Sequence, residues 1–582
     1  MTWILKNKQG DIKALSEKYG ISETLARILI NREIDENSAD MYLHGTLENL
    51  YDGCLMTDLK KAAEILKERI AAGKKIRIIG DYDVDGICSS YILYRGLTSL
   101  GAVCDAEIPH RITDGYGINE RLIKKAAEDG VDLILTCDNG ISAYQEAVLA
   151  GELGIEMVIT DHHEIPHNED GSEKLPPALA VVDPHRQGDA YPYPMICGAV
   201  VAWKLMIACG ISLEVREETM EEAAFATVCD VMPLRDENRI LVREGIAHMR
   251  NTPNQGLRAL MDACQIKGEQ LSAYHLGFVL GPSLNATGRL ESAMTGLKLL
   301  CAESRDEAAK LALELRDLNE ERKHMTELGV AKATLEIEKS KEPDKVLVIY
   351  LPDCHESVAG IIAGRIKESF HHPVFVLTDA EEGLKGSGRS IEAYDMYATM
   401  SECKELFTKY GGHKMAAGLS IPREKLEAFR SFMNEHCNLE EKDFEKNLYI
   451  DAALQLDKVT EELVAECKRL EPFGTANPKP VFAQSRIYVK NIRIMGKNRN
   501  AARIKALVAP GKVMDLVWFG DAEKLEEDLQ TVYQQEGRLV FERELEGAGL
   551  PLQICYYPEI NEFRGVRTLQ PQITDYRIPE KA

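Results

Sequence analysis

Short apolar runs alternate with helix-spaced segments through the first third of the chain. IRII at 76–79, VDLILT at 131–136, EMVIT at 156–160 and LAVV at 179–182 each fit a buried strand, and a further strand is expected near 102–108. Helix-like stretches at 118–129 and 141–153 lie between them. Strands alternating with helices predict a parallel sheet covered on both faces. Ahead of it, Leu15, Tyr19, Ile21, Leu25, Ile28 and Leu29 recur at roughly helical spacing and predict short helices over 11–50. From 304 to about 340 the pattern is one long polar helix, with Leu311, Leu315, Leu318, Met325 and Leu328 as its apolar stripe. A helix of this length often joins two domains. A second α/β unit begins with VLVIY at 346–350 and ends in the charged stretch near 420–445. Beyond it, β-like runs at 486–495, 501–509, 513–519, 537–543 and 552–557 predict a small antiparallel barrel such as an OB-fold.

A length of 582 residues asks for three or four such domains. Hydrophobic content of 45% and charged content of 28% are those of an ordinary globular protein. No apolar run reaches the length of a membrane span, and the opening MTWILKNKQGDIKAL lacks the order of a signal peptide. Fourteen scattered cysteines contain no C-x-x-C pair, which argues against a cysteine zinc site and suits a reducing compartment. A cytoplasmic protein without a membrane partner is therefore expected. The net charge of −24 argues against a nucleic-acid partner until its distribution is considered. Residues 481–520 hold eight Lys or Arg and one acid, a local +7 that leaves about −31 for the rest. A lone basic cluster is usually a solvated face. This one lies on a strand-like pattern with Tyr488, Trp518 and Phe519 nearby, which could stack on bases, although the barrel core is the expected place of at least two of them.

The chemistry lies where the acids fall. IRIIG runs into Asp81-Tyr82-Asp83-Val84-Asp85-Gly86, LILTC into Asp138-Asn139-Gly140, and MVIT into Asp161-His162-His163. In an open parallel sheet, ligands bind beyond the carboxyl ends of the strands. Any one of these acids could be a helix cap, and Asp161 a mere cap or turn residue. Three strand ends carrying DxDxD, D and DHH form a carboxylate cluster that would repel itself without a cation. Oxygen ligands with imidazole suit Mg²⁺ or Mn²⁺, and two such ions are a standard device for phosphodiester hydrolysis.

GDYDVDG at 80–86 and TDHHE at 160–164 resemble the signature motifs of the DHH phosphoesterase superfamily, and the chain resembles RecJ-type single-strand-specific exonucleases over nearly its whole length. Pro109-His110-Arg111 with Gly115-Tyr116-Gly117 is similar to that family's second motif, and ATVCDVMPL at 226–234 to the segment with its last metal-binding Asp. GSGRS at 386–390 and GGHKMAAG at 411–418 resemble the DHH-associated domain, and LEPFGTANPKPVF at 470–482 the start of the OB domain. The resemblance implies an α/β protein: an N-terminal helical segment (1–60), a parallel-sheet DHH domain (61–265), a helical connector (266–340), a second α/β, DHH-associated domain (341–440) and an OB-like barrel (447–582). It implies two ions, Mn²⁺ or Mg²⁺, held by Asp83, Asp85, Asp138, His162 and Asp230, with Asp138 shared. Asp230 comes from the resemblance alone; by pattern it would pass as a helix cap. His163, Asp81 and Arg111 would assist catalysis, His163 by touching phosphate or the attacking water and Asp81 by orienting its neighbours. His355 precedes a helix-like run, where a phosphate oxygen can bind, although a lone His there is more often a capping residue. Gly388, Gly411 and Gly412 would let backbone approach the strand, and Ser387, Arg389, His413 and Arg289 would complete its binding wall.

The implied activity is metal-dependent hydrolysis of single-stranded DNA, from the 5′ end, in DNA repair and recombination. Such an activity would call on a helicase or a single-strand-binding protein, which no motif encodes, and a multi-domain clamp can work as a monomer. Ser283 stands where RecJ-type enzymes usually carry an Arg that meets substrate phosphate; Cys354 replaces a Trp and Ser357 a Gly. These departures bear on strand binding, not on the metal ligands, and Arg289 lies close enough in sequence to substitute in part. A DHH phosphoesterase of short oligonucleotides or nucleotides and a non-catalytic single-strand-binding protein remain as alternatives. The basic barrel speaks against the first and the complete ligand set against the second.

Overall fold

In the computed structural model of the chain, which describes every residue except 112, 340–343, 497–498, 564 and 580–582, the first apolar runs form a five-stranded parallel sheet. Its strands are β1 (Lys75–Ile79), β2 (Val103–Glu107), β3 (Leu133–Cys137), β4 (Glu156–Thr160) and β5 (Ala180–Val182), in the order β2-β1-β3-β4-β5. β3 is buried at all five positions, as a strand covered on both faces must be. The charge that β1 carries into this interior, Arg77, is held 2.8 Å from Asp105 and 2.9 Å from Asp129. The chain runs from β1 through helix α1 (Val84–Ser99) to β2, then returns to the other side of β1 as β3. The switch in strand order thus falls between β1 and β3, where open sheets form their ligand crevice.

Helices α2 (Gly198–Cys209) and α3 (Leu213–Cys229) follow the sheet. Farther on, residues 273–290 form one helical run: a short α-turn, a π-helical turn at Leu276–Leu280, and α4 (Gly281–Leu290). The long helix α5 spans Arg305–Glu338, with Ser304 as its N-cap. Of its expected stripe only Leu315 is fully buried, and Leu328 is 51% exposed. Small and polar residues do the packing instead, among them Ala308, Ala312, Asn319, Thr326 and Ala333. They let neighbouring helices approach; the bare Cα of Gly329 leaves room for Ile362, which a Cβ would meet at 2.3 Å.

A second sheet follows. β6 (Leu347–Tyr350), helix α6 (Glu356–Phe370), β7 (Val374–Asp379), β8 (Leu384–Arg389), β9 (Lys409–His413) and β10 (Ala416–Ile421) build the sheet order β9-β10-β8-β7-β6. Only β6 and β7 pair in parallel. β6 is an edge strand, and side chains take backbone groups at its start. Asn434 accepts from Val346 N–H and donates to its carbonyl, both at 3.0 Å, and Arg430 donates to the Val348 carbonyl. All these elements belong to one compact unit, residues 50–233 with 241–446. The expected connector boundary at 340–341 lies outside the described residues.

The other unit comprises residues 1–49, 234–240 and 447–582. Strands β11 (Phe482–Met495), β12 (Ala501–Ala509), β13 (Lys512–Phe519), β14 (Leu550–Tyr557) and β15 (Gln572–Arg577) run in the order β11-β12-β13-β15-β14, and β14 pairs back onto β11 to close a barrel. The run at 537–543, read above as a strand, is helix α8 (Gln535–Glu542), which follows α7 (Ala522–Tyr533). Gly537 and Val540 form its buried side, three residues apart, a helical period that the seven-residue run GRLVFER is too short to tell from a strand. The N-terminal segment is not purely helical either: Thr2–Leu5 pairs in parallel with Asn447–Ile450. Leu25, Ile28 and Leu29 then share a core with Val464, Phe482 and Tyr556 of the barrel region.

The barrel's basic cluster is partly neutralised. Arg503 pairs with Asp515, Lys505 with Glu544, and Arg499 with Glu523 and Glu526; Lys497 lies outside the described residues. Of the three aromatics only Trp518 is buried, while Phe519 is 61% exposed, so the expectation of two in the core does not hold. β13 ends at Phe519, where the alternation points its ring outward. Among the described residues no helix is long and apolar enough to cross a membrane.

Candidate metal centre

Three strand ends and two helices supply the site. Beyond β1, Asp83 caps α1 by accepting from Gly86 N–H at 3.1 Å, and Asp85 sits in the first turn. Asp138 directly follows β3, with φ +58, and His162 follows β4 after Asp161. The N-terminus of α2 meets this crevice, its Gly198 and Ala199 N–H groups donating to Asp85 at 2.7 and 2.8 Å. Only glycine fits at 198, since a Cβ there would lie 2.8 Å from the Asp138 Cβ and 3.1 Å from Asp85 Oδ2. Asp230 caps the C-terminus of α3. The next residue, Val231, is held at φ +59, a conformation unfavourable to a β-branched side chain.

Ligand-type atoms converge in three overlapping groups: Asp138 with His162 and His163; Asp85 with His162 and Asp230; and Asp81 with Asp83 and Asp138. Within each group they lie within 4.8 Å of one another. His162 Nε2 is 3.1 Å from Asp138 Oδ1, 3.5 Å from Asp85 Oδ2 and 3.7 Å from Asp230 Oδ2. All five residues that the resemblance implied as metal ligands are therefore in this cluster, and Asp81 joins them.

Burial and mutual repulsion disfavour the ionised carboxylates. Asp138 is pushed well above the usual range by burial, then by the charges of Asp85, Asp83 and Asp230. Asp81 rises likewise through burial and Asp83, and Asp83 through burial and Asp85. Asp230 is pushed up to about 8 by burial, then by Asp85 and Asp83. Burial also holds His162 below its usual value, keeping a neutral imidazole available as a ligand. Hard oxygens, one imidazole and excess negative charge in a buried crevice fit divalent Mn²⁺ or Mg²⁺.

Asp161 has a different task. It accepts N–H from Ile141, His162 and His163 and holds His163 Nδ1 at 2.7 Å. Burial would raise its carboxyl, but the His163 bond and charge bring it below the usual range. Burial lowers His163 in turn, and Asp161 outweighs this and lifts it to about 9. The resemblance assigned Tyr116 no role, yet its hydroxyl lies 3.1 Å from both the Asp138 carbonyl and His163 Nε2. Only its place in the Gly115-Tyr116-Gly117 turn hinted at it.

The second sheet forms an opposite wall. A cavity of about 360 Å³ is lined by Tyr82 and Arg111 on one side and Ser357, Lys385, Ser387 and Gly411 on the other. Arg289, at the end of α4, donates to the Ser357 carbonyl at 2.8 Å. Burial pushes Arg289 down to about 9, assisted by the charges of Arg111, Arg322 and Arg389. Arg389 donates to the Gly388 carbonyl, and Arg111 lies over the Tyr82 ring at 4.9 Å. Arg111, Arg289, Arg322 and Arg389 have no carboxylate partner among the described residues.

Other expected strand-binding residues sit elsewhere. His355 caps α6, contacts Ser357 and lines a separate apolar groove beside α5 with Cys354. Gly388 faces the core, where a Cβ would meet Phe375 at 2.6 Å, so its bare Cα serves packing. Gly412 and His413 continue β9 beyond the cavity, and His413 Nδ1 accepts from Met415 N–H. Ser283 is buried, donating to the Val279 carbonyl and accepting from Asn319, which in turn accepts from Arg322.

The chain matches the DHH family, N-terminal domain, over residues 75–229, the DHHA1 domain over 344–439 and the RecJ OB domain over 450–575. It is 35% identical over 529 residues to the single-stranded-DNA-specific exonuclease RecJ of Bacillus subtilis (strain 168), a match covering 90% of this chain and 66% of that protein. It is 32% identical over 567 residues to the RecJ of Haemophilus influenzae, covering 92% of this chain and 93% of that protein. The crystal structure of RecJ in complex with Mn²⁺ from Thermus thermophilus superposes with a TM-score of 0.81 at 26% identity, covering 100% of this chain and 80% of that one. The Mg²⁺ complex of the same protein gives 0.75 at 25% identity, covering 100% and 79%.

Proposed function

The chain belongs to the RecJ family of single-stranded-DNA-specific exonucleases, and from that premise we propose how its own residues hydrolyse single-stranded DNA. The observation that carries the reading is the convergence of three ligand groups on Asp138 and His162. Asp83, Asp85, Asp138, His162 and Asp230 would hold two Mn²⁺ or Mg²⁺ ions, Asp138 being the residue that would serve both. When bound, such ions activate a water, neutralise the phosphate and stabilise the leaving oxygen. Asp81 accepts from Gly117 N–H and fixes the loop around the ligands. His163, held through Nδ1 by Asp161, presents the rest of its ring to the phosphate under attack. Tyr116 orients His163 from the other side.

Arg111 and Arg289 from the metal side and Ser387, Arg389 and Gly411 from the facing wall hold strand phosphates, where uncompensated guanidiniums favour an anion. Arg486 and Arg493 on the barrel have no acidic partner among the described residues and add strand affinity. We read the direction as 5′ to 3′ and the role as DNA repair and recombination, which the family resemblance supports. We place the protein in the cytoplasm, where its fourteen free cysteines would stay reduced.

The test compares a 5′-labelled single strand, a blunt duplex and a dinucleotide, each with Mn²⁺ and with EDTA. Stepwise shortening of the single strand alone, abolished by EDTA, is expected. Equal turnover of strand and duplex would refute single-strand specificity, and turnover of the dinucleotide alone would favour a short-oligonucleotide phosphoesterase.

A further inference from the structure

The cavity between the two walls does not end at the second sheet. Glu356, Lys385, Lys409 and Ser420 line it and also border a larger one of about 1350 Å³. Tyr82, which lies between Asp81 and Asp83, lines only the inner cavity. The outer one is bounded by Thr113, the turn between β7 and β8, and the residues that follow β10. That turn is fixed in place. Ala380 N–H donates to the Gly383 carbonyl at 3.2 Å. Gly383, at φ +75, approaches β10 so closely that a Cβ would meet the Ile421 carbonyl oxygen at 2.6 Å. The turn therefore carries Glu381 and Glu382 to a set position on the outer rim.

The two cavities differ in charge. Around the inner one, Arg111, Arg289 and Arg389 repel one another and have no carboxylate partner among the described residues. In the outer one, Lys385 is neutralised by Glu356 at 2.8 Å and Arg423 by Asp379. Glu381, Glu382 and Glu424 are exposed there and have no basic partner among the described residues. Lys409, which borders both cavities, is exposed and likewise has no acid of its own among them. Three unpaired carboxylates against one unpaired ammonium leave the outer cavity negative, directly beyond a positive inner one.

We infer that Glu381, Glu382 and Glu424 make the outer cavity a charge filter on whatever is joined to the terminal 5′ phosphate: it repels a further strand phosphate and admits an uncharged or cationic substituent. The inference rests on the proposed exonuclease function and its 5′ direction, which put the terminal nucleotide in the inner cavity. The next position outward then falls in the outer one, because the two are continuous. A strand running on through it would bring its next phosphate against the three carboxylates, so an internal stretch is refused where an end is held. Space does not set this limit, since the outer cavity is the larger. A further substrate class follows: single strands whose terminal phosphate is esterified by a neutral or basic group. Water adds to the phosphorus that joins the first two nucleotides, the O3′ of the first leaves and takes up a proton, and the substituent departs still attached to that nucleotide.

The experiment uses the full chain with Mn²⁺ and short single strands labelled at the 3′ end. One strand has a free 5′ phosphate. In three others that phosphate is esterified by a propyl chain ending in a hydroxyl, a sulfonate or an ammonium. At low salt, kcat/KM for the ammonium ester should exceed that for the sulfonate ester about tenfold, the size expected for a unit charge of either sign facing three carboxylates across water, with the hydroxyl ester between. The ratio should fall toward one at about 0.5 M salt, where exposed charges are screened. Glu381→Gln/Glu382→Gln/Glu424→Gln should bring it toward one at low salt as well. Equal kcat/KM on the three esters in the wild type would overturn the filter while leaving the exonuclease intact. So would a ratio that neither salt nor the glutamine variant moves, and the salt series decides even if that variant does not fold. Cutting of the free-phosphate strand but of no ester would show the outer cavity closed to substituents and overturn the filter equally. Failure to shorten the free-phosphate strand would instead sink the proposed function, and loss of the 3′ label at the first cut would sink its direction.

Discussion

Asp161 lies between two histidines of different duty and touches only one of them through its ring. Because its oxygens are occupied by three backbone N–H groups and His163, it positions rather than ligates. Asp161→Asn should therefore lower turnover about 10–100-fold through His163, the usual loss for an orienting partner, and Mn²⁺ affinity by less. Single-strand hydrolysis and titration calorimetry would measure the two, and an unchanged turnover would return Asp161 to a turn residue. Far from the metals, Glu222 is buried with one oxygen lacking a partner, and burial followed by Glu221 and Glu218 pushes its carboxyl well above the usual range. The folded state then holds a proton that the unfolded state releases above its usual value of 4.5. Stability is lost as pH rises from there toward the folded value. Glu222→Gln should stabilise the protein by about 1–2 kcal/mol at neutral pH and by nothing below about pH 4. Thermal denaturation across that range checks it, and a gain independent of pH would contradict it.

At the level of elements, the N-terminus of α2 is as much part of the site as the strand ends. Gly198→Ala alters no ligand but drives a Cβ between Asp138 and Asp85. It should weaken Mn²⁺ binding at least tenfold while the fold persists, which calorimetry beside circular dichroism would establish; wild-type affinity would show that the crevice yields. This also marks where reading the sequence stops. Asp83, Asp85, Asp138 and His162 were legible because a parallel sheet gathers its strand ends on one edge, and acids after apolar runs stand out. Asp230 was not, since at a helix end it has the profile of any cap. Gly198 and Tyr116 act through tertiary approach, which no spacing records. The strand read at 537–543 failed because seven residues cannot separate a period of two from a buried side at Gly537 and Val540. The stripe expected on α5 holds in part, with Leu315 buried, Leu311, Leu318 and Met325 half-buried and Leu328 exposed, because close packing there also selects alanine and glycine over leucine.

For the whole molecule, a net charge of −24 is compatible with the proposed strand binding where positive charge is uncompensated and local. Arg503 and Lys505 already face Asp515 and Glu544, whereas Arg486 and Arg493 face no acid among the described residues. Charge reversal at Arg486 and Arg493 should flatten the salt dependence of single-strand binding by about 0.7 per lost phosphate contact. Reversal at Arg503 and Lys505 should change it less. Fluorescence anisotropy over a salt series distinguishes the two pairs, and equal slopes would refute the distinction. The edge strand β6 bears on how the protein behaves in a crowded solution. Asn434 and Arg430 occupy hydrogen-bonding groups that another chain's strand would otherwise use as a template. These two side chains, on the helix Leu426–Glu435, act as a guard against fibrillar self-association once that helix has docked on the second sheet.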